Sequence, residues 1–143
     1  ERIEEHRRLG DQIILLSGTS RIAGEIIAEY VPVDHLICAH AEIVDGLITS
    51  RLIEPIPYRE GKIPWAKQIA DETGLSLDTA FFYTDSITDR PLLECVGSPV
   101  AVNPGPLLRR LARKRGWEVL QDRSHCDIVL HRKTEKAPQR CEA

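Results

Sequence analysis

A chain of 143 residues with a net charge of −3 is long enough for one domain with its own core and too short for two. Its 42% hydrophobic and 29% charged residues are those of a soluble globular protein, which excludes a disordered chain. No apolar run approaches the ~20 residues of a membrane span, so no membrane partner is expected.

Arg2 to Gly10 reads as the end of a helix, with Ile3 and Leu9 apolar among charges and Gly10 as a stop. Nothing ahead of Arg2 caps it, so the chain is expected to be a piece of a longer one. Gln12 to Ser17 is a buried strand, and Gly18-Thr19-Ser20 opens a helix whose apolar stripe is Ile22, Ala23, Ile26, Ile27 and Tyr30. Pro32 ends that helix, and His35 to Cys38 is a short strand. Ala41 to Val44 and Leu47 to Ile53 flank Asp45-Gly46, a strong hairpin signal.

Gly61 to Thr73 is a helix closed by Gly74. Thr79 to Thr84 is a strand, and Asp85 to Arg90 a polar loop. Pro91 suits the first turn of a helix running Leu92 to Val96. Val100 to Val102 is a strand, Pro106 to Arg115 a helix, and Trp117 to Leu120 a last short strand. Beyond Gln121 the sequence is polar, with only Asp127 to His131 strand-like, and 122–143 is read as a tail.

Charge is acidic up to Leu108 and basic from Arg109 onward. The dense stretch Arg109 to Arg115 does not point to nucleic acid. Leu107, Leu108, Leu111 and Ala112 recur at helical spacing, so the arginines form a solvated helix face, and aromatics for base stacking are few. Cys38, Cys95, Cys126 and Cys141 share no paired spacing and read as thiols of a reducing compartment. The opening residues lack a signal peptide's basic-then-apolar pattern, and the expectation is a cytoplasmic protein.

Strands alternating with helices imply a mostly parallel sheet covered on both faces, with ligands outside the carboxyl ends of the strands. The polar residues at those ends are Ser17-Gly18-Thr19 and Asp85 to Asp89, and Lys62 begins a helix. Ser17 and the Gly18 amide at a helix start make an anion site, or a plain helix cap. Lys62 at a helix N-terminus is electrostatically unfavourable unless something negative lies nearby. Asp85 and Asp89 straddle one turn, and two neighbouring carboxylates repel unless a cation joins them; Mg²⁺ takes one or two carboxylates and fills its shell with water and phosphate.

In order and spacing these segments resemble the later signature motifs of haloacid dehalogenase phosphatases, nearest to the phosphoserine-phosphatase-like branch. Ile13-Ile14-Leu15-Leu16-Ser17-Gly18 looks like an apolar strand ending in a motif serine. Glu60-Gly61-Lys62 looks like the motif lysine that opens a helix, and Phe82-Tyr83-Thr84-Asp85-Ser86-Ile87-Thr88-Asp89 like the strand followed by the motif aspartates. Val100-Ala101-Val102-Asn103-Pro104 is similar to the branch's usual ending.

The resemblance implies an α/β fold, a Rossmann-like three-layer sandwich with a mostly parallel sheet plus a small β-hairpin. It implies that Ser17, Gly18, Lys62 and Thr88 bind the phosphorylated substrate, that Lys62 and Asp89 serve catalysis, and that Asp85 ligates Mg²⁺. Thr88 stands where relatives often carry Asn. The family also has an apolar strand followed by Asp-x-Asp, the nucleophile and acid/base, and a helical cap after it. This chain contains no Asp-x-Asp. It is therefore expected to lack the family's first, central strand, between the Ser17 and Asp85 strands, and the cap, with 1–121 as an incomplete core.

The expected function is that of a Mg²⁺-dependent phosphatase acting on a small phosphorylated metabolite through an aspartyl-phosphate, with this chain inactive alone. The alternative is a non-catalytic phosphate-binding or interaction module derived from such an enzyme. Substrate identity and oligomeric state stay open, because the selecting cap is not in the sequence.

Overall fold

The computed structural model describes residues 2–121 and 128–131. Helix α1 (Arg2–Arg8) leads into strand β1 (Gln12–Ser20), helix α2 (Arg21–Tyr30) and strand β2 (His35–Ala39). Strands β3 (Ala41–Val44) and β4 (Leu47–Leu52) form the hairpin, with Asp45 and Gly46 both at positive φ, as a two-residue turn matched to strand twist requires. A 3-10 turn, Arg59–Gly61, runs directly into helix α3 (Lys62–Thr73), which ends on left-handed Gly74. Strand β5 (Phe81–Thr84), a 3-10 turn (Ile87–Asp89) and short helix α4 (Arg90–Leu93) follow. Strand β6 (Ser98–Val102), helix α5 (Pro106–Arg115), strand β7 (Glu118–Leu120) and strand β8 (Ile128–His131) complete the order.

Six strands make one sheet in the order β2-β1-β8-β5-β6-β7, and β3-β4 stand apart as a second. β1 and β2 pair in parallel, as do β5 with β6 and β6 with β7. Ile13 to Leu16 are all buried, as a strand covered on both faces demands. Ile14, Leu16, Phe82 and Ala101 face α3, α4 and α5 in the larger core. Ile13, Tyr83 and Val100 face the other way, with Ile3 of α1 packed against them. The result is the three-layer, Rossmann-like α/β sandwich.

Three expectations need correction. The slot left empty between the Ser17 and Asp85 strands is filled: β8 lies there, antiparallel to both β1 and β5. The segment read as a polar tail thus gives the core its central strand, and the remainder of 122–143 lies outside the described residues. The apolar stripe on α2 is not buried as a unit, because Ile22, Ile26 and Tyr30 are exposed. The helix instead sets Gly24 against β2, where a Cβ would stand 2.3 Å from Cys38 Sγ; the missing side chain lets the backbone approach. Finally, Cys95 is disulfide-bonded and only Cys38 of the described cysteines is free, against the reading of four unpaired thiols.

Among the described residues no helix is long and apolar enough to cross a membrane. On α5, Leu108 and Ala112 are buried and the basic side chains Arg110, Arg113, Lys114 and Arg115 are exposed. The basic face is solvated as the spacing implied, but the apolar stripe is narrower than expected, because Leu107 is exposed and only Leu108 and Ala112 are buried.

Candidate functional site

β5 ends at Thr84, and the chain turns there into the loop that carries Asp85 to Asp89. Ser86 organises this loop: its N–H donates to Thr84 Oγ1 at 3.1 Å, and its own Oγ accepts from the Thr88 N–H at 3.3 Å. The Ser86 and Thr88 hydroxyls lie 2.8 Å apart. Such short side-chain bonds to nearby amides hold a turn in a single shape. They aim Asp89 inward, 1% exposed, while Asp85 stands exposed at the end of the strand.

Lys62 reaches Asp89 from the opposite side. Its Nζ donates to Asp89 Oδ2 at 2.8 Å, with both side chains only 2% exposed. Thr84 Oγ1 donates to the same oxygen at 2.8 Å, and the Lys62 ammonium lies 5.6 Å from the centre of the Phe82 ring. Taking two full charges out of water costs several kcal/mol per ion by order of magnitude, recovered only with good geometry and further hydrogen bonds. Thr84 supplies one of those bonds.

Gly61 makes the placement of Lys62 possible. A Cβ there would sit 1.9 Å from the Ile56 carbonyl oxygen, so only glycine lets the loop fold back and deliver Lys62 to the first turn of α3. The same loop touches the end of β1. Gly18 abuts Pro57 and Tyr58, with an added Cβ meeting the Pro57 carbonyl oxygen at 3.4 Å. β1, the Pro57–Lys62 segment and the β5 loop therefore converge on one end of the sheet, the carboxyl end of its parallel strands.

The structure thus joins Lys62 and Asp89 directly and places Asp85 and Thr88 on the loop beside them. Ser17 and Gly18 are at the same end, but not at the helix N-terminus where the sequence put them. β1 continues to Ser20, with a register shift between Ser17 and Ser20, and it is Ser20 that caps α2, its Oγ accepting from the Ala23 N–H at 3.4 Å. Ser17 Oγ instead accepts from the Thr19 N–H at 3.2 Å, an arrangement that orients the hydroxyl and leaves its proton to donate outward.

Two contributors escaped the sequence reading. Thr84 was only the last residue of a strand; a polar residue ending an apolar run just before an aspartate was the available signal. Gly61 stands in the Glu60-Gly61-Lys62 motif, but the reason it must be glycine has no local signal, because it arises from the Ile56 carbonyl five residues earlier in a folded loop.

Among the described residues no three His, Cys, Asp or Glu side chains cluster to hold a metal ion. Asp89 Oδ2 already takes two hydrogen bonds, and the exposed Asp85 carboxylate is the one on this loop that could hold a cation. One carboxylate suits Mg²⁺, which completes its shell with water and phosphate oxygens.

The model of the haloacid dehalogenase-like hydrolase family matches residues 1–94. A phosphoserine phosphatase of Mycobacterium tuberculosis is 37% identical over 119 residues, covering 83% of this chain and 39% of that protein. A histidinol-phosphatase of Neisseria meningitidis is 33% identical over 122 residues, covering 82% of this chain and 55% of that protein. A solved protein of unknown function from Bordetella pertussis superimposes with a TM-score of 0.77 at 37% identity, covering 84% of this chain and 55% of that one. The chain spans little more than half the length of these proteins at most.

Proposed function

Since the chain belongs to the haloacid dehalogenase-like hydrolase family, we propose that it forms the phosphate- and cation-binding part of a Mg²⁺-dependent phosphatase for small phosphorylated metabolites. The observation that carries the reading is the buried Lys62–Asp89–Thr84 cluster at the carboxyl end of the sheet, with exposed Asp85 on the same loop. Relatives named phosphoserine phosphatase and histidinol-phosphatase support the class of reaction and leave the alcohol undecided.

In this reading Lys62 neutralises charge on the phosphoryl group, and Asp89, held by Thr84, keeps the ammonium aimed. The Ser17 hydroxyl and the Gly18 N–H donate to phosphoryl oxygens. Packing does not demand glycine at 18, since a Cβ there would make only ordinary contacts; an unobstructed amide facing a ligand explains the residue better. Thr88 is the substrate contact on the loop. Asp85 would hold Mg²⁺, which supplies positive charge to the phosphoryl oxygens. Concentrating positive charge and N–H donors around a phosphoryl group is the main protein contribution to such transfers. The carboxylate nucleophile is not in this chain, which has no Asp-x-Asp, so hydrolysis requires a longer protein that contains it.

One observation favours a second reading, a non-catalytic phosphate-binding or interaction module. β8 pairs with both β1 and β5, so the sheet is continuous without any further strand. Calorimetry separates these from a wrong assignment. Both readings expect inorganic phosphate to bind the chain, and the phosphatase reading expects Mg²⁺ to tighten it. Phosphate binding indifferent to Mg²⁺ selects the module, and no phosphate binding with or without the metal removes both.

A further inference from the structure

The loop that delivers Lys62 also holds an arginine in a strained backbone. Among the described residues three non-glycines have positive φ, and two of them, Asp45 and Asn103, are residue types that adopt it readily. Arg59, at a φ of 51°, is not such a type. The Gly61 N–H donates to the Tyr58 carbonyl at 3.0 Å, so Tyr58 to Gly61 is a tight turn with Arg59 second in it. Positive φ at that place ordinarily calls for glycine, and a long cationic side chain kept there points to a function. The guanidinium lies 5.4 Å from the centre of the Tyr58 ring, and that ring rests against Gly18. Among the described residues no acid pairs with Arg59, whereas Arg2, Arg21, Arg90 and Arg115 each meet a glutamate. We propose that Arg59 is a second cation of the phosphate site, held beside it by the Tyr58 ring. The inference rests on the phosphate-site reading above.

Charge balance gives the reason for a second cation. Lys62 is the cation already assigned, and the Asp89 carboxylate 2.8 Å away cancels it. The exposed Asp85 then leaves the protein side of the site net negative. A phosphate monoester arrives with a charge of about −1.5 to −2 at neutral pH. Even with a divalent cation at Asp85 and a dianionic ester bound, the site stays one positive charge short. Arg59 supplies it. Stacking on Tyr58 limits where the exposed guanidinium can go and leaves its N–H edge free to donate.

Calorimetry of the whole chain with inorganic phosphate and Mg²⁺, at low and high ionic strength, tests this. Arg59→Gly removes the charge, and glycine takes a positive φ at no steric cost. It is expected to weaken phosphate about fivefold at low ionic strength, the upper end for an exposed ion pair, while the urea midpoint does not fall. Arg59→Lys keeps the charge and should bind phosphate within about twofold of the unsubstituted chain. At high salt the three proteins should converge, because an exposed charge is screened. If the glycine variant binds phosphate as tightly as the unsubstituted chain, or the lysine variant loses as much as the glycine one, the proposal fails and the phosphate site stands. A urea midpoint that falls together with the affinity makes Arg59 a structural residue of the turn and overturns the proposal as well. If the unsubstituted chain binds no phosphate, the phosphate-site reading is wrong and this inference goes with it.

Discussion

Two buried polar clusters are fastened to neighbouring residues of β5, on opposite faces of the sheet. Thr84 points to one, where Lys62 and Asp89 form a full ion pair. Tyr83 points to the other, where its hydroxyl lies 2.9 Å from His6 Nε2 and His6 Nδ1 lies 2.7 Å from Asp11 Oδ2. Both are almost sealed from water. In the second, the two ring nitrogens of His6 each lie within hydrogen-bond distance of one partner, the Asp11 carboxylate on one side and the Tyr83 hydroxyl on the other. It ties α1 and the start of β1 to the sheet, and Phe81 stacks on Tyr83 and meets His6 edge-on to close the space. The first cluster instead opens onto a loop with an exposed carboxylate at the end of a parallel strand. Burial of polar groups therefore does not by itself mark a site; what distinguishes one is where the cluster leads.

The largest effect should come from breaking the ion pair. Lys62→Met leaves the Asp89 carboxylate buried without its cation, and removing one partner of such a pair costs about 3–5 kcal/mol. Urea unfolding should show that loss, and phosphate binding should disappear. Lys62→Met combined with Asp89→Leu should recover most of the stability and none of the binding. If the double variant still bound phosphate, the cluster would be no more functional than its counterpart across the sheet.

Tyr83→Phe tests the counterpart and should cost less. It leaves His6 Nε2 buried without the phenol, a penalty of about 1–3 kcal/mol for an unsatisfied polar group. Phosphate affinity should not change. A fall in affinity comparable to that of the Lys62 variant would erase the distinction between the two clusters.

The difference in legibility between the clusters has a physical basis. Lys62, Asp85 and Asp89 stand at element boundaries, where the sequence shows a strand stopping or a helix starting and polar residues gathered at one end of the fold. His6, Asp11 and Tyr83 meet across 77 residues of chain, with Tyr83 inside an apolar run, so no local pattern announces them. The order of the elements was readable because apolar period, proline, glycine and the Asp45-Gly46 turn all act locally. The place and direction of β8 were not, since four residues carry no information about which strands will flank them. Ser17, Thr19 and Ser20 are three hydroxyl residues in four positions, and propensity alone does not choose which of them caps α2. The exposed face of α2 misled for a related reason. Gly24 packs closely because it has no side chain, and hydrophobic periodicity gives weight only to side chains.

The smallest structural effect, and the sharpest functional one, is expected at Asp85. Its side chain is exposed, so Asp85→Asn should lower the urea midpoint less than either variant above. Its effect on phosphate should change sign with the metal. Without a divalent cation the Asp85 carboxylate repels an approaching phosphate, and the amide removes that repulsion, so affinity in chelator should rise slightly. With Mg²⁺ the carboxylate anchors the cation, and linkage requires that the metal tighten phosphate by the same factor as phosphate tightens the metal. Asn abolishes that coupling, so affinity in Mg²⁺ should fall until it matches the value in chelator. Titrations of both proteins in both conditions measure the four affinities. Crossing trends place the metal at Asp85, whereas parallel ones make this aspartate an ordinary residue of a polar turn.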